Sequence, residues 1–98
     1  MTDAQSSTVR DNQTRRRYEL DVPGGQAFID YRRDAGVVTM AHAEVPPELQ
    51  GRGIGSVLVK GALDLARGQG EHVIAACPFV AAYLRRHPEY RDLLAAPV

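Results

Sequence analysis

Pro46-Pro47-Glu48-Leu49-Gln50-Gly51-Arg52-Gly53-Ile54-Gly55-Ser56 decides how this chain folds. A prolyl residue has no N–H and a fixed φ, so a strand ladder stops where the two prolines begin. The glycines then let the backbone turn sharply. Beyond them Ile54, Leu58, Ala62 and Leu65 form one stripe, with Val57 and Gly61 beside it and Lys60, Asp64 and Arg67 opposite. That is a helical period running to about Arg67. Gly68 and Gly70 close the helix. The segment is therefore a strand end, a glycine turn and a helix start.

Upstream, Tyr18, Leu20 and Val22 alternate with Arg17, Glu19 and Asp21, which is the period of a half-buried strand. Pro23-Gly24-Gly25 is a turn, and Gln26–Arg33 is a second strand carrying Phe28, Ile29 and Tyr31. Asp34-Ala35-Gly36 is short enough for a hairpin, and Val37–Val45 is a third strand, so these strands form an antiparallel meander. Downstream, His72–Cys77 is a fourth strand and Pro78 opens a helix through about Arg86, where His87-Pro88 stops it. Glu89–Leu94 is one more helical turn. The order β-β-β-α-β-α predicts an α+β fold. Its sheet is mixed, mainly antiparallel, with one parallel strand-helix-strand crossover and flanking helices.

Residues 1–16 are polar and nearly free of large apolar side chains, and are expected to be a flexible tail before a single domain spanning 17–98. Arg15-Arg16-Arg17 reads as a solvated strand start; a phosphate or nucleic-acid contact is the sharper alternative. Twelve basic residues balance twelve acidic ones, so no whole-chain basic field points to nucleic acid. The one cysteine, Cys77, excludes an internal disulfide framework and a cysteine-rich zinc site. With no secretory signal, it suits the reducing cytoplasm. No apolar run approaches the roughly 20 residues that cross a bilayer. No metal site is expected, because no second ligand stands at metal spacing from any histidine.

A turn between a strand end and a helix start presents unpaired N–H groups and the positive end of the helix dipole. Gln50–Ser56 is therefore suited to a phosphate or diphosphate, with Arg52 adding charge and Ser56 a hydroxyl. It is not a P-loop, because Lys60 comes more than a turn too late. It is not the dinucleotide G-x-G-x-x-G either: the third glycine would fall at Ser56 or at Leu58. A purely architectural glycine turn is the bland alternative.

At these residues the sequence resembles a known family. Gln50-Gly51-Arg52-Gly53-Ile54-Gly55 is similar to the Q/R-x-x-G-x-G/A signature of the GNAT superfamily of acyl-CoA-dependent N-acetyltransferases. His42–Leu49 before the turn, and Cys77–Val80 with Tyr83–Tyr90 after it, resemble the small single-domain YjdJ-type branch. The resemblance covers Tyr18–Leu94. It implies binding of acetyl-CoA or coenzyme A, and a splayed strand pair, here Val37–Val45 and His72–Cys77, that takes the pantetheine arm. It further implies that Glu44 and Val45 offer backbone to that arm, while Gln50, Gly51, Arg52, Gly53, Ile54, Gly55 and Ser56 form the diphosphate loop. The two helices usual between the first strands of the superfamily are missing, and with them part of the usual acceptor wall.

Cys77 precedes a helix start, where the dipole favours thiolate, and in the family branch it implies an acetyl-accepting nucleophile; the bland reading is a small buried hydrophobe. His42 is expected on the same side of its strand as Val38 and Met40, either as a hydrogen-bonded core or rim residue or as a general base or thiol activator, with Glu44 facing the same way to orient it or act as base through water. Tyr83 and Tyr90 would line the pantetheine channel or belong to the core. Arg85 and Arg86 would meet the adenosine phosphates or simply face solvent. The expectation is an N-acetyltransferase-like enzyme acting on an unidentified amine acceptor, as a monomer or homodimer. A non-catalytic coenzyme A-binding module is the alternative.

Overall fold

The computed structural model describes residues 9–98. Strands β1 (Arg10–Asn12), β2 (Arg17–Val22), β3 (Gly25–Asp34) and β4 (Val37–Glu44) are followed by helix α1 (Ile54–Gly68), strand β5 (His72–Ala75) and helix α2 (Pro78–Arg86). Short 3-10 segments cover Pro47–Leu49 and Pro88–Leu93. The sheet order is β1-β2-β3-β4-β5, antiparallel up to β4 and parallel between β4 and β5. The expected mixed sheet with one crossover is the one observed.

One face of the sheet is apolar. Tyr18, Leu20, Ala27, Ile29, Tyr31, Val38, Met40 and Val73 are buried there against Leu58, Val59, Ala62, Leu63 and Ala66 of α1 and Val80, Tyr83 and Leu84 of α2. The strand period of two sends the alternate side chains, among them Glu19, Phe28 and Asp30, to the other face. Among the described residues no helix covers that second face. Among the described residues, too, no helix is long and apolar enough to cross a membrane.

Three features depart from the sequence expectation. Residues 1–8 of the expected tail lie outside the described residues, but from Val9 onward the chain is part of the fold. Val9 is buried and β1 pairs with β2. Polar side chains secure it: Arg10 and Asn12 reach Glu19, each at 3.2 Å. Asp11 accepts from Tyr31 Oη at 2.5 Å and from Arg33 at 3.0 Å. Arg33 also bonds Glu71 at the start of β5 through Nε at 2.5 Å. A composition rule that counts apolar residues passes over such a strand.

Second, β4 carries a bulge. Tyr31 stands opposite Met40 and Asp30 opposite His42, so Ala41 is an extra residue. Its insertion reverses the alternation. Val38 and Met40 face the core, but so does Ala43, while His42 and Glu44 turn to the bare face. The expectation that His42 shares a side with Val38 and Met40 is thus corrected.

Third, β5 ends at Ala75 rather than Cys77. The N–H groups of Ala76 and Cys77 both donate to the Met40 carbonyl at 3.0 Å, and Pro78 then opens α2. Pairing of β4 with β5 stops at Met40–Ala75. Beyond that point β4 continues to Glu44 with no strand on its β5 side among the described residues. The expected pair, Val37–Val45 with His72–Cys77, is thus shorter on its β5 side than the sequence suggested.

Candidate functional site

The site is built where β4 outruns β5. After Glu44 the chain leaves the sheet through Val45 and Pro46 and makes the 3-10 turn Pro47–Leu49. Gln50 braces the return, its Nε2 donating to the Val45 carbonyl at 3.1 Å. Gly51 and Gly53 follow with φ of 84° and 78°, a backbone conformation that a side chain would strain. Gly53 is the N-cap of α1, and no side chain among the described residues caps the helix. The first helical bond runs from the Val57 N–H to the Gly53 carbonyl at 3.2 Å. The N–H groups of Ile54, Gly55 and Ser56 are therefore left without a helical acceptor.

A groove of about 440 Å³ opens at this helix end. Ala43, Val45, Leu49, Ile54, Leu58 and Phe79 supply its apolar lining. The backbone of Gly51 and of Gly53–Ser56, with Gln50, supplies the polar end. Anions are favoured at such an N-terminus, where N–H groups converge with the dipole. The glycine cradle leaves room as well: a Cβ at Gly51 or Gly53 would meet nothing within 4 Å.

Of the residues singled out from sequence, Val45, Gln50, Gly51, Gly53, Ile54, Gly55 and Ser56 line this groove. Gln50 does so as a brace, with its amide already engaged. Arg52 is exposed on the turn and is not part of the lining. Cys77 is the N-cap of α2, buried in the core at 6% exposure and outside the groove lining. His42 Nε2 and Glu44 Oε1 lie 3.2 Å apart on the bare face, their side chains 58% and 60% exposed. Cys77 and the His42–Glu44 pair thus belong to opposite faces of the sheet. Tyr83 is a core residue, its ring stacked on His87 with centroids 3.9 Å apart, and burial raises its phenol pKa. Tyr90 is also buried, its hydroxyl donating to Asp64 at 2.7 Å. Arg86 sits in the last turn of α2, about 12 Å along the axis from the end that meets the groove.

Ala43, Leu49, Leu58 and Phe79 line the groove without having been singled out from sequence, and of these Phe79 comes from α2. The buried stripe of α2 is Val80, Tyr83 and Leu84, and Phe79 lies on its flank. An aromatic side chain off the buried stripe in the first helical turn was the available signal.

A family model described as "GCN5-related N-acetyl-transferase" matches residues 17–93. Among solved structures, the chain is similar to a GCN5-like candidate N-acetyltransferase from Staphylococcus aureus, determined in solution by NMR. The two share 27% sequence identity over 94% of this chain and 92% of that one, with a TM-score of 0.69. No curated protein matches.

Proposed function

Because the chain belongs to the GCN5-related N-acetyltransferase family, we propose that it transfers an acetyl group from acetyl-CoA to an amine. The observation that carries this reading is the uncapped N-terminus of α1, opening onto a groove beside the point where β4 and β5 part. The N–H groups of Ile54, Gly55 and Ser56 hold the diphosphate, Gly51 and Gly53 let it approach, and Arg52 adds charge from the rim. Ala43 and Val45 offer backbone and apolar surface to the arm.

Acetyl-CoA would supply an acetyl group activated as a thioester; as the amine nitrogen bonds to the carbonyl carbon the C–S bond breaks, and coenzyme A leaves as a thiolate that takes a proton from solvent. The chain's own residues then do three things. Helix and turn amides fix the cosubstrate's anionic end. A β4 backbone N–H, with Val45's the candidate, polarises the thioester carbonyl. On the bare face Glu44, paired with His42, receives the proton of the attacking amine directly or through a water. Attack is direct rather than through Cys77, whose side chain lies in the core.

Calorimetry with coenzyme A and intact-protein mass spectrometry after incubation with acetyl-CoA test this reading. Coenzyme A binding, acetyl transfer to an amine and no adduct on the protein are expected. An acetyl adduct lost in Cys77→Ser would move the route to the thiol. Binding without transfer to any amine in a broad screen would leave a coenzyme A-binding module. Absence of coenzyme A binding would overturn the proposal.

A further inference from the structure

Gly55 and Phe79 come from different helices and meet at the mouth of the groove. A Cβ on Gly55 would lie 2.6 Å from Phe79 Cζ and 2.9 Å from Cε2. Gly55 has no positive φ. Its lack of a side chain therefore serves the neighbouring ring rather than the path of its own backbone.

Among the described residues, Phe79 and the chain-end Val98 are the large apolar side chains left exposed, Phe79 at 42%. An exposed aromatic seated in a notch, inside a groove otherwise lined by Ala43, Val45, Leu49, Ile54 and Leu58, is a prepared apolar wall. The helix amides of the same groove, Gly55's among them, suit an anion. One groove thus joins an anion-binding end to an apolar channel, the two chemistries of a ligand with a charged head and a largely uncharged arm.

We infer that Phe79 is the wall against which the pantetheine arm of coenzyme A packs, and that Gly55 is a glycine so that the ring can take that position. The inference rests on the coenzyme A reading of the groove. Phe79 holds the arm and takes no part in proton or acyl transfer, so its loss shows in binding.

The test is calorimetric titration of the wild type, Phe79→Ala, Phe79→Leu and Gly55→Ala with two probes. These are coenzyme A and 3′-phospho-ADP, its nucleotide portion without the arm. Phe79→Ala is expected to weaken coenzyme A about tenfold or more while leaving 3′-phospho-ADP within about twofold. Phe79→Leu restores most of the coenzyme A affinity, and Gly55→Ala, which displaces the ring, weakens coenzyme A as well. Urea unfolding confirms that each variant is folded before titration. Equal losses for both probes, or no loss for either, would overturn the role given to Phe79 while leaving the coenzyme A site standing. A wild type that binds neither probe would remove the site itself, and the wall with it.

Discussion

Val9 occupies the space that a side chain at Gly61 would need: a Cβ there would lie 2.5 Å from one Val9 methyl and 2.6 Å from the Val9 Cβ. A residue just before β1, at the start of the described chain, is thus keyed into the middle of α1. Glycine in a helix interior costs about 0.5–1 kcal/mol relative to alanine, so Gly61→Ala would ordinarily stabilise. Here overpacking, typically about 1–3 kcal/mol, outweighs that gain. Gly61→Ala is expected to lower stability by about 1 kcal/mol in urea unfolding. In a Val9→Gly background the same substitution changes sign and stabilises.

Arg33 holds together both edges of the sheet. It bonds Asp11 of β1, Tyr31 of its own strand and Glu71 at the entry to β5. Both carboxylates are nearly buried. Arg33→Met leaves two of them facing each other without a cation and is expected to cost about 3–5 kcal/mol, a large part of a small domain's stability. Arg33→Met combined with Asp11→Asn and Glu71→Gln recovers most of the loss. Urea midpoints of the single and triple variants decide it.

Alkaline pH should loosen the contact between the C-terminal segment and α1. Burial, followed by the hydrogen bond to Asp64, pushes the Tyr90 phenol up to about 12. A folded value above the ordinary one of about 10 means that its stabilisation is complete below pH 10. That stabilisation is lost as pH rises from about 10 through about 12. Tyr90→Phe flattens this part of the wild-type stability profile, measured as urea midpoints across that range. A variant profile parallel to the wild type would count against it.

Opposite faces of the sheet carry the candidate base and the thiol, and that separates their mutants. Cys77→Ala is expected to keep kcat within about threefold, its effect confined to core packing. His42→Ala and Glu44→Gln are expected to leave coenzyme A affinity unchanged and to lower kcat by about 10²-fold or more. Steady-state acetyl transfer paired with calorimetry reads both quantities.

The turn glycines predict a different signature. Gly53→Ala meets no steric neighbour, so its cost is that of the left-handed φ, about 1–2 kcal/mol. Relaxing that strain rotates the amides at the helix start. Coenzyme A affinity is expected to fall by at least tenfold while the urea midpoint shifts only by the backbone cost.

Much of this could be read from the chain itself. Pro46-Pro47 and Gly51–Gly55 announced the strand end and helix start, and the stripe through Leu58 and Ala62 announced the face that α1 buries. Pro78 and His87-Pro88 bracketed α2 as observed. Three features could not be read, each for a physical reason. β1 is held by charged and amide side chains whose partners lie on β2, β3 and beside β5, contacts that no local period encodes. The bulge at Ala41 is a fact of pairing between two strands and leaves no mark on one. Phe79 lines the groove only because the fold brings α2 beside the start of α1, against Gly55.

The extra residue in β4 has a consequence for how this sheet could change over evolutionary time. Face assignment along a strand depends on whether a position is counted odd or even, so one inserted residue exchanges inside for outside from that point onward. Deleting Ala41 would carry His42 and Glu44 toward the core and Ala43 out to the solvent, with every other residue unaltered in identity. The placement of His42 and Glu44 on the bare face is thus stored in a count rather than in a side chain. A lineage could gain or lose it by a single-codon deletion, a kind of event that comparisons of substituted residues alone would not register.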